Sequence, residues 1–253
     1  MSTITLAHEL TDPIGRIGMY YYFSPLTSQR ATELGTDVVS FYFAGRGGVL
    51  GEVDPDEVDE TFYFFKPGMA SGMYSNGIVQ LGRAVAVREH AAAADAFARA
   101  TFGAIDDGVL TSFADAVRRI ADQVPLDIAP LADGYLALEW PSDAAARAFR
   151  AAIYLRELRG GVHTQIVKVA GLSPAVSCFL DREGIYFALH GYSDDDIPEI
   201  TEEHRATRLD IEVRTHEAME TILMLIDDSD RQALRAGSTA MFAALKDPVP
   251  VGE

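Results

Sequence analysis

The sequence has a single cysteine, Cys178, in 253 residues. That excludes an intrachain disulfide and any cysteine-based zinc site. It is short of positive charge: 21 Lys and Arg stand against 38 Asp and Glu, for a net charge of −17. Phosphate attraction dominates nucleic-acid affinity, so this balance argues against nucleic acid as a partner. No apolar run approaches the ~20 residues of a spanning helix. The strongest, Ile222 to Ile226, is short. The N-terminus, MSTITLAHELTDP, has neither a basic region nor a long apolar stretch of the secretory kind. These absences lead us to expect a soluble, cytoplasmic protein with no membrane partner. There is no HExxH pair, no Glu-x-x-His and no phosphate-binding loop after a strand, so no metal and no cofactor is expected.

What is present is ordinary globular composition, with 48% hydrophobic and 23% charged residues. The length suits one large domain or two small ones. Pro and Gly divide the chain into mostly helical pieces. Residues 25–34 and 37–44 read as helices, the second apolar on nearly every face. Gly45-Arg46-Gly47-Gly48 reads as a helix end and turn, or as a backbone cradle for an anion. Pro55 is placed to open a helix running to about Phe65, and 67–77 is a short helix or turn. Residues 83–102 and 107–122 are helical. In the second of these Leu110, Phe113, Ala114, Val117 and Ile120 recur at three and four. Residues 125–141 hold three prolines and are expected to loop across the surface, with a short helix around Leu131–Leu138.

A helix is expected from Ser142, as N-cap, to Leu158, ended by Gly160-Gly161. Short helices follow at His163–Val169 and Pro174–Leu180, with a short strand at 184–190. Thr201 caps a long helix to 227, and a last helix covers 229–245. Arg-Gly-Gly-Val occurs twice, at 46–49 and 159–162. Each copy follows a helix with an Ile/Phe-Tyr pair and precedes two short helices, as a duplicated helix-turn-helix unit would.

The stretches FYFAGRGGVLG (41–51), TFYFFKP (61–67) and YLRELRGGVHTQIVKVAGL (154–172) resemble the SalK-type helix-turn-helix family of actinobacterial proteins. YFSP (22–25), GYSDDD (191–196) and IEVRTHEAM (211–219) fit the same pattern. The resemblance implies a tandem of MarR-like winged-helix units and a place in specialised metabolism. Against that pattern, Gly18 stands where members usually have His. Phe64 replaces Asn, Leu158 replaces His and Gly161 replaces Asp. Arg46, Tyr63, Arg156, Glu157, Arg159 and His163 are kept.

The expected fold is mainly α: two pseudo-repeated, degenerate winged-helix or helix-turn-helix halves packed as one unit. The halves are residues 1–124 and 142–253, joined by 125–141. The recognition-helix candidates are poor in bases for reading DNA. Residues 192–230 carry thirteen acids against three arginines. Arg156, Glu157, Arg159 and His163 instead form a locally basic cluster suited to a carboxylate or phosphate.

The function expected is small-molecule handling, as a cofactor-free enzyme or binding protein with an apolar pocket between the halves. His163 and Glu157 are the catalytic candidates. Arg46, Arg156, Arg159, Tyr42, Tyr63, Phe64 and Tyr22 are the ligand-binding ones. A MarR-like regulator and a non-catalytic partner protein are the alternatives, and a homodimer is compatible with any of them. Glu212, His216 and Glu220 share one helix face; we read that face as solvated rather than as a metal site. Cys178 is expected to be a buried, inert thiol.

Overall fold

A computed structural model describes residues 5–245. Among them lie twelve α-helices and no strand. They are α1 (Leu6–Met19), α2 (Pro25–Glu33), α3 (Val38–Gly47), α4 (Pro55–Thr61), α5 (Met69–Leu81), α6 (Arg83–Phe102), α7 (Asp107–Ala121), α8 (Pro130–Leu136), α9 (Ala144–Ala170), α10 (Pro174–Leu180), α11 (Glu202–Leu223) and α12 (Asp228–Ala244). No described helix is long and apolar enough to cross a membrane.

Side-chain caps set most of the starts. Asp37 accepts from the Val39 and Ser40 amides, and Asp106, Ser173, Thr201 and Asp227 cap α7, α10, α11 and α12. Each satisfies a backbone donor that the helix itself cannot pair. The cap of α9 is Asp143 rather than the expected Ser142, and its carboxylate accepts from the Ala146 amide.

The two glycine pairs behave differently from each other in the fold. Gly45 and Gly47 are helical; α3 does end at Gly47, with Gly48 as its C-cap at φ −62° and a 3-10 turn, Gly48–Leu50, after it, but no positive-φ glycine cradle for an anion forms at 45–48. A Cβ on Gly45 would lie 2.3 Å from His90, and one on Gly48 2.6 Å from Val87. These glycines let α3 lie close against α6. Gly160-Gly161, by contrast, does not end α9, which runs unbroken for 27 residues and absorbs the helix expected at His163–Val169. A Cβ on Gly161 would meet Ala129 at 2.4 Å. Glycine in a helix costs about 1 kcal/mol, offset here by close packing. Helix α1, which contains Pro13, was not expected at all.

Helix α9 is the axis of the fold, packing against α1, α6, α7, α8 and α11. Its first half is buried almost all round, from Ala145 to Leu158. The main hydrophobic cluster draws on residues from Leu6 to Met241. It includes Leu131, Ala132 and Tyr135, so the expected surface loop at 125–141 instead tucks α8 into the core. The second half of α9 leaves this core. It joins a small cluster with Leu172, Val176 and Ile211, while Cys178, Phe187 and Tyr192 make a third.

The expected strand at 184–190 is turns and a 3-10 segment, Ala188–His190. A lone strand has no neighbour to pair its backbone, and none is present among the described residues. Neither expected half therefore carries a β wing there.

Candidate functional site

Where the second half of α9 diverges from the core, a cavity of about 1050 Å³ opens. Helices α1, α3 and α4 wall one side; α9, α11 and the segment after α10 wall the other. Its volume is at the upper end for small-molecule sites. Of the sequence candidates, Tyr22, Tyr42, Arg46, Phe64, Arg156, Glu157, Arg159 and His163 all line it. Tyr63 does not. Its hydroxyl donates to the Leu172 carbonyl at 2.8 Å and its ring faces Lys168.

The eight form two groups. In the first, Arg46 Nη2 donates to Glu157 Oε2 at 2.7 Å, both side chains being about 5% exposed. Arg46 also donates to the Tyr42 hydroxyl. Its guanidinium lies 4.9 to 5.1 Å from the rings of Phe62, Tyr42 and Tyr22. Such ring contacts stabilise a buried cation. Glu157 Oε1 accepts from the Tyr22 hydroxyl at 3.1 Å and from Arg156 Nη1 at 2.6 Å. Burial pushes the Glu157 carboxyl up, but Arg46 and Arg156 beside it pull it below the ordinary carboxylate range. Both its oxygens are taken, so Glu157 holds the site rather than carrying protons, and Arg46 is locked to it rather than free for an anion. Arg156 reaches this place because position 18 is glycine: a Cβ there would stand 2.7 Å from Arg156 Cδ.

The second group is built by α9 and α11. Arg159 Nη2 donates to Glu212 Oε2 at 2.9 Å, and Arg208 donates to Glu212 Oε1. His163 Nδ1 is 3.0 Å from Thr215 Oγ1 and 3.7 Å from Glu212. The Phe64 ring stands 5.8 Å from the imidazole. Burial lowers the His163 pKa; Glu212 opposes this, Arg159 and Arg208 add to it, and it falls to about 4. Near pH 7 the ring is therefore neutral, too weak a base to hold a proton. It is better suited to hydrogen bonding than to the acid–base role expected of it.

Sequence reasoning missed Thr215, Arg208 and the buried His90 behind the first group. It set Glu212 on a solvated face, whereas Glu212 is 29% exposed and paired with Arg159 and Arg208. The three residues of that face diverge: Glu212 turns to the arginines, Glu220 accepts from the Ala7 amide at 2.8 Å, and His216 packs on His8 at 5.1 Å. Among the described residues no group of three or more His, Cys, Asp or Glu could hold a metal ion. Cys178 is buried, as expected, and burial raises its thiol to about 12. The second-half recognition-helix candidate, α10, is only seven residues long and buries Val176, Ser177 and Cys178.

The model of a helix-turn-helix family matches residues 7–249, nearly the whole chain. The chain belongs to this helix-turn-helix family. No curated protein and no solved structure matches it significantly. In this helix-turn-helix protein the glycines at 18 and 161 are packing positions: Gly18 admits the Arg156 stem and Gly161 admits Ala129. Leu158 is core, and Phe64 supplies an apolar wall beside His163.

Proposed function

We propose that this chain is a SalK-type member of the helix-turn-helix family that handles a small molecule in specialised metabolism. It would bind an apolar ligand bearing an anionic group in the cavity. Residues 1–124 and 142–253 would be degenerate halves of a duplicated unit, with the ligand between them. The observation that carries this reading is the charge of the inner wall. At the buried inner wall the guanidinium groups of Arg46, Arg156, Arg159 and Arg208 stand with two carboxylates, Glu157 and Glu212, and His163 is neutral, while the other acids lining the cavity, Asp12, Glu57, Glu60, Asp127 and Asp181, are exposed at its rim, where Arg16 and Lys168 also stand. Asp181, half exposed at the rim, lies 3.8 Å from Arg208. A wall with excess positive charge inside a chain of net charge −17 favours an anion. Arg159 is the anchor in this reading, because Glu157 occupies Arg46.

Native mass spectrometry beside denaturing mass spectrometry on freshly purified protein tests it. A non-covalent anionic adduct, absent from Arg159→Ala, is the expected result. An adduct retained by Arg159→Ala would remove the anchor assignment. The family match favours a second reading, a MarR-like regulator. A fluorescence-anisotropy titration against upstream DNA at low salt separates the two, since a regulator binds tightly and loses affinity as salt rises.

A further inference from the structure

Three atoms at the α9–α11 end of the cavity lack a protein partner, and the two of them that are not sealed off have complementary chemistry. Thr215 Oγ1 donates its one hydrogen to the Ile211 carbonyl at 2.7 Å. Towards His163 Nδ1, 3.0 Å away, that oxygen can therefore only accept. The proton of the neutral ring is thereby fixed on Nδ1, and Nε2 presents a lone pair. Nε2 makes no hydrogen bond among the described residues and is not sealed from the cavity. One turn earlier on α9, Arg159 spends Nη2 on Glu212, and its Nε is buried without a partner. Its Nη1 makes no hydrogen bond and remains open. Glu212 touches both residues, at 2.9 Å and 3.7 Å, which keeps acceptor and donor side by side. Residues one turn apart on a helix are separated by about 5 to 6 Å.

We infer that this end of the cavity selects ligands that carry a hydroxyl or N–H donor on the same apolar ring system as a carboxylate or other oxyanion. The inference rests on the ligand-binding reading above and names the ligand class. The oxyanion pairs with Arg159 Nη1, the donor pairs with His163 Nε2, and the Phe64 ring lies against the connecting apolar body. A ligand with the anion alone leaves Nε2 unpaired in a desolvated place, which is costly. A ligand with an ether at that position sets one lone pair against another. Thr215 acts as a positioning residue, through the tautomer it imposes.

Isothermal titration calorimetry on the full chain tests this with 4-hydroxy-2-naphthoate, 4-methoxy-2-naphthoate and 2-naphthoate. The hydroxy acid is expected to bind about tenfold more tightly than the other two, the worth of one good hydrogen bond. In Thr215→Val, Nδ1 loses its acceptor and either tautomer is open. The preference should then fall to within about threefold while 2-naphthoate binds as before. If Thr215→Val does not fold by circular dichroism, His163→Phe takes its place, with the same collapse expected. Equal binding of the three acids by the unaltered protein overturns the inference and leaves the anion site standing. A tenfold preference that survives both substitutions also overturns it. No binding of any of the three overturns the inference together with the ligand-binding reading beneath it.

Discussion

The two ends of the cavity use the same residue types to opposite effect. At the α3 end, Arg46, Tyr42, Tyr22, Arg156 and Glu157 bond to one another, Glu157 has no free oxygen, and Arg46 Nε is sealed in without a partner. At the α11 end, Arg159 and His163 are tethered by one atom each and leave another open. The ends differ in their carboxylate: Glu157 is 4% exposed and Glu212 29%, while Arg156 and Arg159 are alike at 25% and 24%. A closed network fixes the backbone geometry, while an open one is available to a ligand. Residue types alone do not distinguish a structural ion pair from a binding one; what does is whether an unpaired atom is accessible, since Arg46 Nε is sealed whereas His163 Nε2 and Arg159 Nη1 are not.

Glu157→Ala breaks the comparison at its strongest point. It strands two arginines at the closed end, and removing one partner of a buried pair costs about 3–5 kcal/mol. Urea denaturation should show a loss of that size. Acid comes next. The unfolded chain binds a proton on histidine near pH 6.5. Buried His90 and His163 do so only near 3 and 4, because burial, with help from nearby arginines, lowers both. Between those values the unfolded state holds more protons, so stability falls as the pH drops from about 6.5 to 4. Each group contributes at most about 1.4 kcal/mol per pH unit. His90→Gln should flatten the slope, as read from denaturation midpoints across that window.

Gly161→Asp, which restores the residue that the family resemblance implies, drives a Cβ into Ala129. It should cost about 1–3 kcal/mol in the same assay. Arg159→Ala sharpens the comparison from the open end. Glu212 keeps Arg208, so stability should change by less than about 1 kcal/mol, while the stabilisation given by 4-hydroxy-2-naphthoate in a thermal-shift assay disappears. A large loss of stability in Arg159→Ala would mean that both ends are structural.

Much of the helical content was legible because caps and periodicity are local. The three-four spacing of Leu110, Phe113 and Val117 marks α7 with no tertiary help, and Asp106 caps it in the structure. The family resemblance brought Arg46, Arg156, Glu157, Arg159 and His163 to attention, and they do share one cavity. The glycine pairs were illegible for a physical reason. Glycine favours a helix end locally, and only a close neighbour, His90 or Ala129, makes it a helix interior residue. Tyr63 was grouped with the pocket because of its neighbours in sequence, yet its hydroxyl finds the Leu172 carbonyl instead. Thr215 and Arg208 carried no signal, since their roles exist only once α11 lies beside α9.

By itself, then, the sequence determined a helical, acidic, disulfide-free chain with a cluster of arginines, because propensity, capping and charge belong to individual residues. The tertiary structure alone decided that α9 runs through its glycines at 160 and 161, that Glu157 closes one end of the cavity, and that Thr215 meets His163 Nδ1. Those outcomes depend on which unpaired atom meets which neighbour, and residues more than fifty positions apart meet only in the fold.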